Sequence, residues 1–359
     1  MAVQEQAIDQ QKLDGFLGKV IGDWGAAHGC ALALMGDRLG LYKAMAGADP
    51  ITPTELATKT SMVERYVREW LVNQVSGGYV EYDPQTERYT LPPEHAMALT
   101  DETSPAYVAP GFQLMLAIVR AEPRIEEAFR TGGGMVWGEH HSDLFPATER
   151  FFRTGYLAHL VSSWIPALDG VEAKLKSGAT VADVGCGHGA STRIMAQAYP
   201  NSRFHGFDNH APSIEAARAE AEAEGVGDRI TFEVATAQDF PGSGYDVIAY
   251  FDCLHDMGDP VGAMRYARRA VADDGTLLIV EPMAGERVEE NINPVGRVFS
   301  GVSVLCCTPN AIASGGPDGV ALGTVATERQ LREVVLEGGF ARFRRTTETP
   351  FNRIFEARP

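Results

Sequence analysis

The chain has 359 residues, 45% of them hydrophobic, and a formal charge of −17; that length suggests about two domains, each with enough apolar material for a core. The acidic balance offers no positive surface for neutralising phosphates, which excludes nucleic acid as the expected partner. Five scattered cysteines (Cys30, Cys186, Cys253, Cys306, Cys307) without CxxC spacing exclude a disulfide framework and a zinc site, and no metal is expected.

The N-terminus lacks the basic start and apolar centre of a signal peptide, and no apolar run approaches a membrane span, so the expected location is the cytoplasm, without membrane contact. The first part, residues 1–100, opens on "FLGKVIGDWGAAHGCALALMGDRLGLYKAM", whose periodicity predicts a long helix. In "ITPTELATKT" Thr52 is placed to cap, Pro53 sits at the first helical position and Glu55 completes a capping box. "SMVERYVREWLVNQVSGGYV" repeats the device with Ser61 and Glu64, puts Val63, Tyr66, Val67, Trp70 and Leu71 on one face, and stops at Gly77 and Gly78. "YVEYDPQTERYTL" alternates about Asp83 and Pro84 as a small hairpin. Helix, turn, helix and hairpin make a winged helix. Glu64, Arg65, Arg68 and Glu69 cancel on its second helix, so the expectation is a dimerisation module rather than a DNA reader, with the long first helix packing against a second subunit of a homodimer.

The middle part, residues 101–176, is predicted as a helical connector interrupted by "TGGGMVWGEHHSDLF". This loop either supplies Trp137, His140 and His141 to a substrate pocket or serves as a tight connection. No carboxylate or histidine spacing supports a metal role for the paired histidines.

The last part, residues 177–359, alternates buried strands ("ATVADV", "SRFHGFD", "RITFEVA", "YDVIAYFD", "GTLLIVEP") with helix-sized stretches. That order predicts an α/β, Rossmann-like doubly wound sheet. "FARFRRTTETPFNRIFEARP" closes it with an antiparallel hairpin.

"VADVGCGHGAS" lies where the first of these strands turns into a helix. Glycines there let the backbone approach a ligand, and the helix N-terminus presents free N–H groups. Asp208 ends the next strand, about twenty residues on, where a carboxylate takes both hydroxyls of a ribose. A nucleoside-type cofactor follows, but "GCGHGA" also fits a dinucleotide pattern, so a nicotinamide-dependent oxidoreductase stays open on spacing alone, as does a non-catalytic ligand-sensing regulator.

The "DVGCGHG" turn, Asp208, "YDVIAYFDCLHDMGD" and the closing hairpin resemble the class I S-adenosylmethionine-dependent methyltransferases. The preceding winged helix extends the likeness to the two-domain small-molecule O-methyltransferases. The resemblance implies S-adenosylmethionine as cofactor, S-adenosylhomocysteine as product and a small-molecule acceptor methylated at a hydroxyl, or at nitrogen or carbon. It assigns Gly185, Gly187 and Gly189, with Cys186 and Ser191 beside them, to the methionine and ribose portion, and Asp183 to the ammonium end. Asp208 takes the ribose, Asn209 lies near the adenine, Ala237, Gln238 or Asp239 meets the adenine amine, and Phe251 and Asp252 border the cofactor next to the substrate. Thr236 stands where relatives often carry an acid.

"LHDMGD" resembles the stretch of phenolic O-methyltransferases whose histidine takes the substrate proton, which implies His255 as base and Glu281 as one of the acids orienting it. The position of a second such acid is Val325. The insertion "ENINPVGRVFSGVSVLCCTPNAIASGG" is expected to fold over the pocket, where Asn291, Asn293 and Arg297 either cap its helix or contact substrate, with Arg297 the substrate candidate.

Overall fold

The alternating apolar runs of the second half form one seven-stranded sheet, ordered β5-β4-β3-β6-β7-β9-β8. In this computed structural model, which describes residues 8–315 and 319–359, the strands are β3 (Thr180–Val184), β4 (Arg203–Asp208), β5 (Ile230–Val234), β6 (Tyr245–Phe251), β7 (Val271–Pro282), β8 (Arg342–Glu348) and β9 (Asn352–Arg358). β3 to β7 run parallel, and β9 and β8 close the edge antiparallel. Near-continuous apolar sequence is what a strand covered on both faces needs, and Val181, Ala182, Ile248, Ala249, Leu278 and Ile279 are buried in two core layers. Strand order reverses between β3 and β6, so a crevice opens at their carboxyl ends. Gly206 in β4 is required by packing: a Cβ there would stand 2.4 Å from the Phe232 ring.

The chain divides into two units, one ending at Leu116 and one spanning Ala117–Pro359, so residues 117–176 belong to the same unit as the sheet. In the first unit α1 covers Gln10–Arg38, α2 Pro53–Thr60 and α3 Glu64–Ser76, followed by the hairpin β1 (Glu81–Asp83) and β2 (Arg88–Thr90). Thr52 and Glu55 close the capping box of α2. Ser61 does not cap α3. It ends α2 in the left-handed region at φ 57°, and Val63 is the residue before α3. The helix is thereby phased to bury Val67, Trp70, Leu71 and Gln74, while Val63 and Tyr66, expected on that face, are exposed. Trp70 donates to the Leu32 carbonyl at 2.9 Å and packs edge-on against Tyr42.

In the second unit, α4 (Leu144–His159), α5 (Ala190–Ala198), α6 (Ala211–Ala223) and α7 (Pro260–Ala270) bear on the crevice. The insertion is a helical run, Pro294–Gly315, of 22 residues. By length and composition alone it is apolar enough to cross a membrane, which corrects the expectation that no run approaches a span. It comprises α8 (Pro294–Val302), a π-helical turn at Ser303–Cys307 and α9 (Thr308–Gly315), and it buries Phe299, Cys306, Cys307 and Ala311. Asn293 caps α8 by accepting from Gly296 N–H at 2.8 Å, and Asn291 accepts from Gly285 N–H.

Candidate active site

The turn after β3 is built on three glycines at positive φ, Gly185 (76°), Gly187 (54°) and Gly189 (75°). Each serves a different need. A Cβ at Gly185 would meet Cys253 Sγ at 2.7 Å and one at Gly189 would meet Phe232 at 2.5 Å, whereas Gly187 faces open space. Bare backbone therefore lines a cavity of about 330 Å³ with Cys186, His188 and Ser191.

Carboxylates surround this bend. Asp208, at the tip of β4, accepts from Gly187 N–H at 2.9 Å and from His210 N–H at 2.8 Å. Burial raises its pKa against those two bonds. Asp183 is fully buried inside β3; one oxygen accepts from the Ser191 and Thr192 hydroxyls at 2.6 Å each, and Oδ1 has no partner. Burial holds its pKa up at about 6 despite those hydroxyls. Asp252, at φ 50°, accepts from Asn352 Nδ2 at 2.7 Å and from the Tyr156 hydroxyl at 3.3 Å. A side chain held in a sparsely populated backbone region is a mark of functional sites.

The remaining walls come from three places. Asn209, Ala237, Gln238 and Phe251 line the crevice as expected, and so does Trp137. Asp239 does not: it turns back to accept from Thr236 N–H and hydroxyl, both at 2.7 Å, and so braces the turn from behind. The loop carrying Trp137 is fastened to the insertion by Trp137 N–H to Asn310 Oδ1 at 2.8 Å, and Asn310 Nδ2 donates to the Asp256 carbonyl at 2.9 Å. His140 is buried beside Trp137 with neither ring nitrogen bonded, and burial lowers its pKa. His141, in the loop between the turn at Trp137–Glu139 and α4, is exposed and bonds Arg120, and Arg297 is an exposed residue of α8; neither is part of the crevice wall. Phe145, Glu149, Phe152 and Tyr156 of α4 do form wall. Sequence reasoning missed them, although Phe145, Phe152 and Tyr156 repeat at the seven- and four-residue spacing of one helix face.

His255 lies in a single helical turn after β6, buried at 3% exposure. Its Nδ1 meets Glu281 Oε2 at 2.6 Å, and its backbone N–H donates to Glu281 Oε1 at 3.3 Å. Nε2 faces Asp256 Oδ1 at 3.4 Å. Burial lowers the imidazole pKa, but the Glu281 and Asp256 carboxylates outweigh it and raise it well above the ordinary value. Val325 supplies no acid, and Asp256 is the second carboxylate at this histidine. Arg353, paired with Glu281 across β7 and β9, is held by the Pro282 and Ala326 carbonyls behind it. Among the described residues His255, Asp256 and Cys307 form one cluster with metal-ligand chemistry, their ligand atoms within 4.8 Å of one another.

Residues 175–311 match the family described as a methyltransferase domain, and residues 27–101 match the Rv2258c-like winged HTH domain. The α/β unit carries a methyltransferase domain. Over 131 residues, 34% of this chain and 48% of the relative, the chain is 30% identical to 27-O-demethylrifamycin SV methyltransferase of Amycolatopsis mediterranei. It is 31% identical over 105 residues, 29% of this chain and 39% of the relative, to trans-aconitate 2-methyltransferase of Streptomyces avermitilis. The chain thus spans less than half the length of these curated relatives. Likeness of fold runs through the whole chain: mitomycin 7-O-methyltransferase MmcR superposes with a TM-score of 0.72 at 19% identity, covering 98% of this chain and 100% of that one. Human N-acetylserotonin methyltransferase superposes with a TM-score of 0.69 at 16% identity, covering 99% of each. The crevice of the methyltransferase domain fits the adenosine cofactor implied by the sequence resemblance: Asp208 at the second strand tip lines it beside the bare backbone of Gly185 and Gly187, and Asp183, with its orphaned oxygen, lies fully buried behind that turn, outside the wall itself.

Proposed function

We propose that the protein transfers a methyl group from S-adenosylmethionine to a small-molecule hydroxyl. The observation that carries this reading is the orphaned Oδ1 of Asp183, beside the Gly185–Gly189 turn and across from Asp208. The cofactor supplies a methyl carbon on a positively charged sulfur, which departs as S-adenosylhomocysteine. Asp208 holds the ribose hydroxyls, Asp183 with Ser191 holds the ammonium end, and Gly185 and Gly187 give the backbone room to approach. Ala237 and Gln238 border the adenine, while Phe251, Asp252 and Tyr156 form the side toward the acceptor. Phe145, Phe152 and Trp137 give that side apolar, aromatic surface, which suits a flat organic acceptor. Holding acceptor and methyl donor in line does most of what such a transfer requires, since the methyl is already activated.

The test is a thermal-shift comparison of S-adenosylhomocysteine with NADH. A stabilisation growing with concentration is expected from the first alone. Stabilisation by NADH instead would replace this reading with the oxidoreductase.

The Asp183 environment gives a pH prediction. Its carboxyl is neutral below about 6 and ionised above, and only the ionised form attracts an ammonium. S-adenosylhomocysteine affinity therefore falls as pH drops below that point, by up to about tenfold per pH unit, and Asp183→Asn flattens the profile. The sign for the free protein is opposite: a carboxyl raised from 3.8 to about 6 contributes stability at low pH that is lost as pH rises through 6.

We infer further that the first unit makes a homodimer through α1, and that the protein works in the cytoplasm with its five cysteines as free thiols. Phe16, Leu17, Ile21 and Trp24 of α1 are exposed at 61%, 48%, 62% and 64%, an apolar stripe that water alone would not favour. On α3 the exposed arginines are paired, Arg65 with Glu69 and Arg68 with Glu64, which leaves little charge for phosphates. Ile21→Asp with Trp24→Asp is expected to convert a dimer to a monomer in light scattering; a parent that is monomeric at micromolar concentration contradicts the dimer.

A further inference from the structure

Three donor atoms meet where the turn after β6 touches the insertion. Glu281 Oε2 engages His255 Nδ1 at 2.6 Å, which leaves the other ring nitrogen, Nε2, facing Asp256 Oδ1 at 3.4 Å. That oxygen is buried and has no hydrogen-bond partner, so the two atoms stand close without a proton aligned between them. The Cys307 thiol is the third: among the described residues, these three side chains form the one group whose metal-ligating atoms all lie within 4.8 Å of one another. The elements that carry them are fastened together. Asn310 Nδ2 donates to the Asp256 carbonyl at 2.9 Å and Gly323 N–H to the His255 carbonyl at 3.2 Å. The π-helical turn at Ser303–Cys307 leaves Cys307 4% exposed, and π turns recur at functional sites.

We propose that Cys307, His255 and Asp256 bind one zinc-class divalent ion. Sulfur, imidazole and carboxylate together are zinc ligands, whereas magnesium and calcium take oxygen alone. Tetrahedral bonds of about 2.0–2.1 Å to nitrogen and oxygen put those two atoms about 3.3 Å apart, close to the 3.4 Å between His255 Nε2 and Asp256 Oδ1. Cys307 has one side-chain torsion with which to bring its sulfur from within 4.8 Å into bonding range. Behind the histidine, Glu281 is the carboxylate that fixes the ring and tautomer of a metal-bound imidazole, and its own charge is faced by the buried Arg353 guanidinium. Three protein ligands leave the fourth tetrahedral position to water, and Asp256, which also lines the crevice, gives the ion its way in. The ligands come from two segments that meet only in the fold, so no spacing in the sequence announces them. Loading this site needs no S-adenosylhomocysteine, and it stands or falls apart from the methyl-transfer reading.

The test uses the tag-free, reduced full chain, stripped with a chelator and titrated with Co²⁺ and Zn²⁺. The parent is expected to take up one Co²⁺ per chain, with a thiolate-to-cobalt charge-transfer band and the visible bands of a tetrahedral site, and to lose both when Zn²⁺ displaces the cobalt. Cys307→Ser is expected to abolish the charge-transfer band and Cys306→Ser to keep it. Glu281→Gln is expected to keep the band and to weaken Zn²⁺ binding by about 10- to 100-fold. An anomalous-difference map of parent crystals grown with Zn²⁺ needs no variant: its peak is expected among Cys307 Sγ, His255 Nε2 and Asp256 Oδ1. A parent that takes up no Co²⁺ or shows no charge-transfer band, a band that survives Cys307→Ser or is lost in Cys306→Ser, or an anomalous peak elsewhere overturns the site.

Discussion

Asp208→Ala is expected to weaken S-adenosylhomocysteine binding by about 100-fold or more, measured as Kd by calorimetry. The carboxylate acts twice. In the free protein it ties the Gly187 and His210 N–H groups together across the mouth of the turn, and on the proposed function it accepts from two ribose hydroxyls in the complex. Charge-assisted bonds are worth about 1.5–3 kcal/mol each, so losing the hydroxyl pair alone accounts for two orders of magnitude. The alanine variant also leaves two backbone donors without their acceptor beside the ligand. Asp208→Asn, which keeps one acceptor oxygen, is expected to fall between. Unchanged affinity in the alanine variant would mean that adenosine does not sit at this strand tip.

Arg193→Met is expected to cost about 3 kcal/mol of unfolding free energy in urea titration, because breaking the buried Arg193–Glu149 pair leaves the Glu149 charge uncompensated, whereas Glu220 and Glu224 remain open to water. Arg193 on α5 is 2% exposed. It pairs with Glu149 at 3.1 Å and with Glu220, and donates to the His188 carbonyl at 2.6 Å. Three carboxylates, with Glu224 the third, therefore converge on one guanidinium. The arrangement fastens α4, which supplies the aromatic wall, to the glycine turn and to α6. Glu149 lines the crevice and is 9% exposed, so the same variant is expected to weaken cofactor binding, while Glu149→Gln with Arg193→Met recovers part of the stability. A parent-like unfolding midpoint in Arg193→Met would show that the cluster is not a net support.

What was legible in the sequence is what short-range physics writes there. Buried parallel strands read as apolar runs, the Thr52 to Glu55 box is a three-residue signal, and the β3 turn is announced by its glycines. Ser61 shows the limit of that reading: serine caps or closes a helix according to its φ, and the choice is made by how α2 and α3 pack. Tyr66 is exposed for the same reason, since the face of α3 is chosen by Tyr42 and Leu32 on other segments. The chemistry of the crevice is less local still. Asp252 is held by Asn352, His255 by Glu281, the Trp137 loop by Asn310, and Arg193 by Glu149. No periodicity reports a partner tens of residues away. That Asp256 lines the crevice while the neighbouring His255 does not follows from the direction of one helical turn, which neither residue type encodes.

The most direct measurement is a crystal structure of the full chain with S-adenosylhomocysteine. The account predicts density in the cavity at the β3 turn, with both ribose hydroxyls within hydrogen-bond distance of Asp208 and the amino group turned toward Asp183 Oδ1. Density for the nucleoside elsewhere, or a cavity that stays empty at saturating ligand, would contradict it.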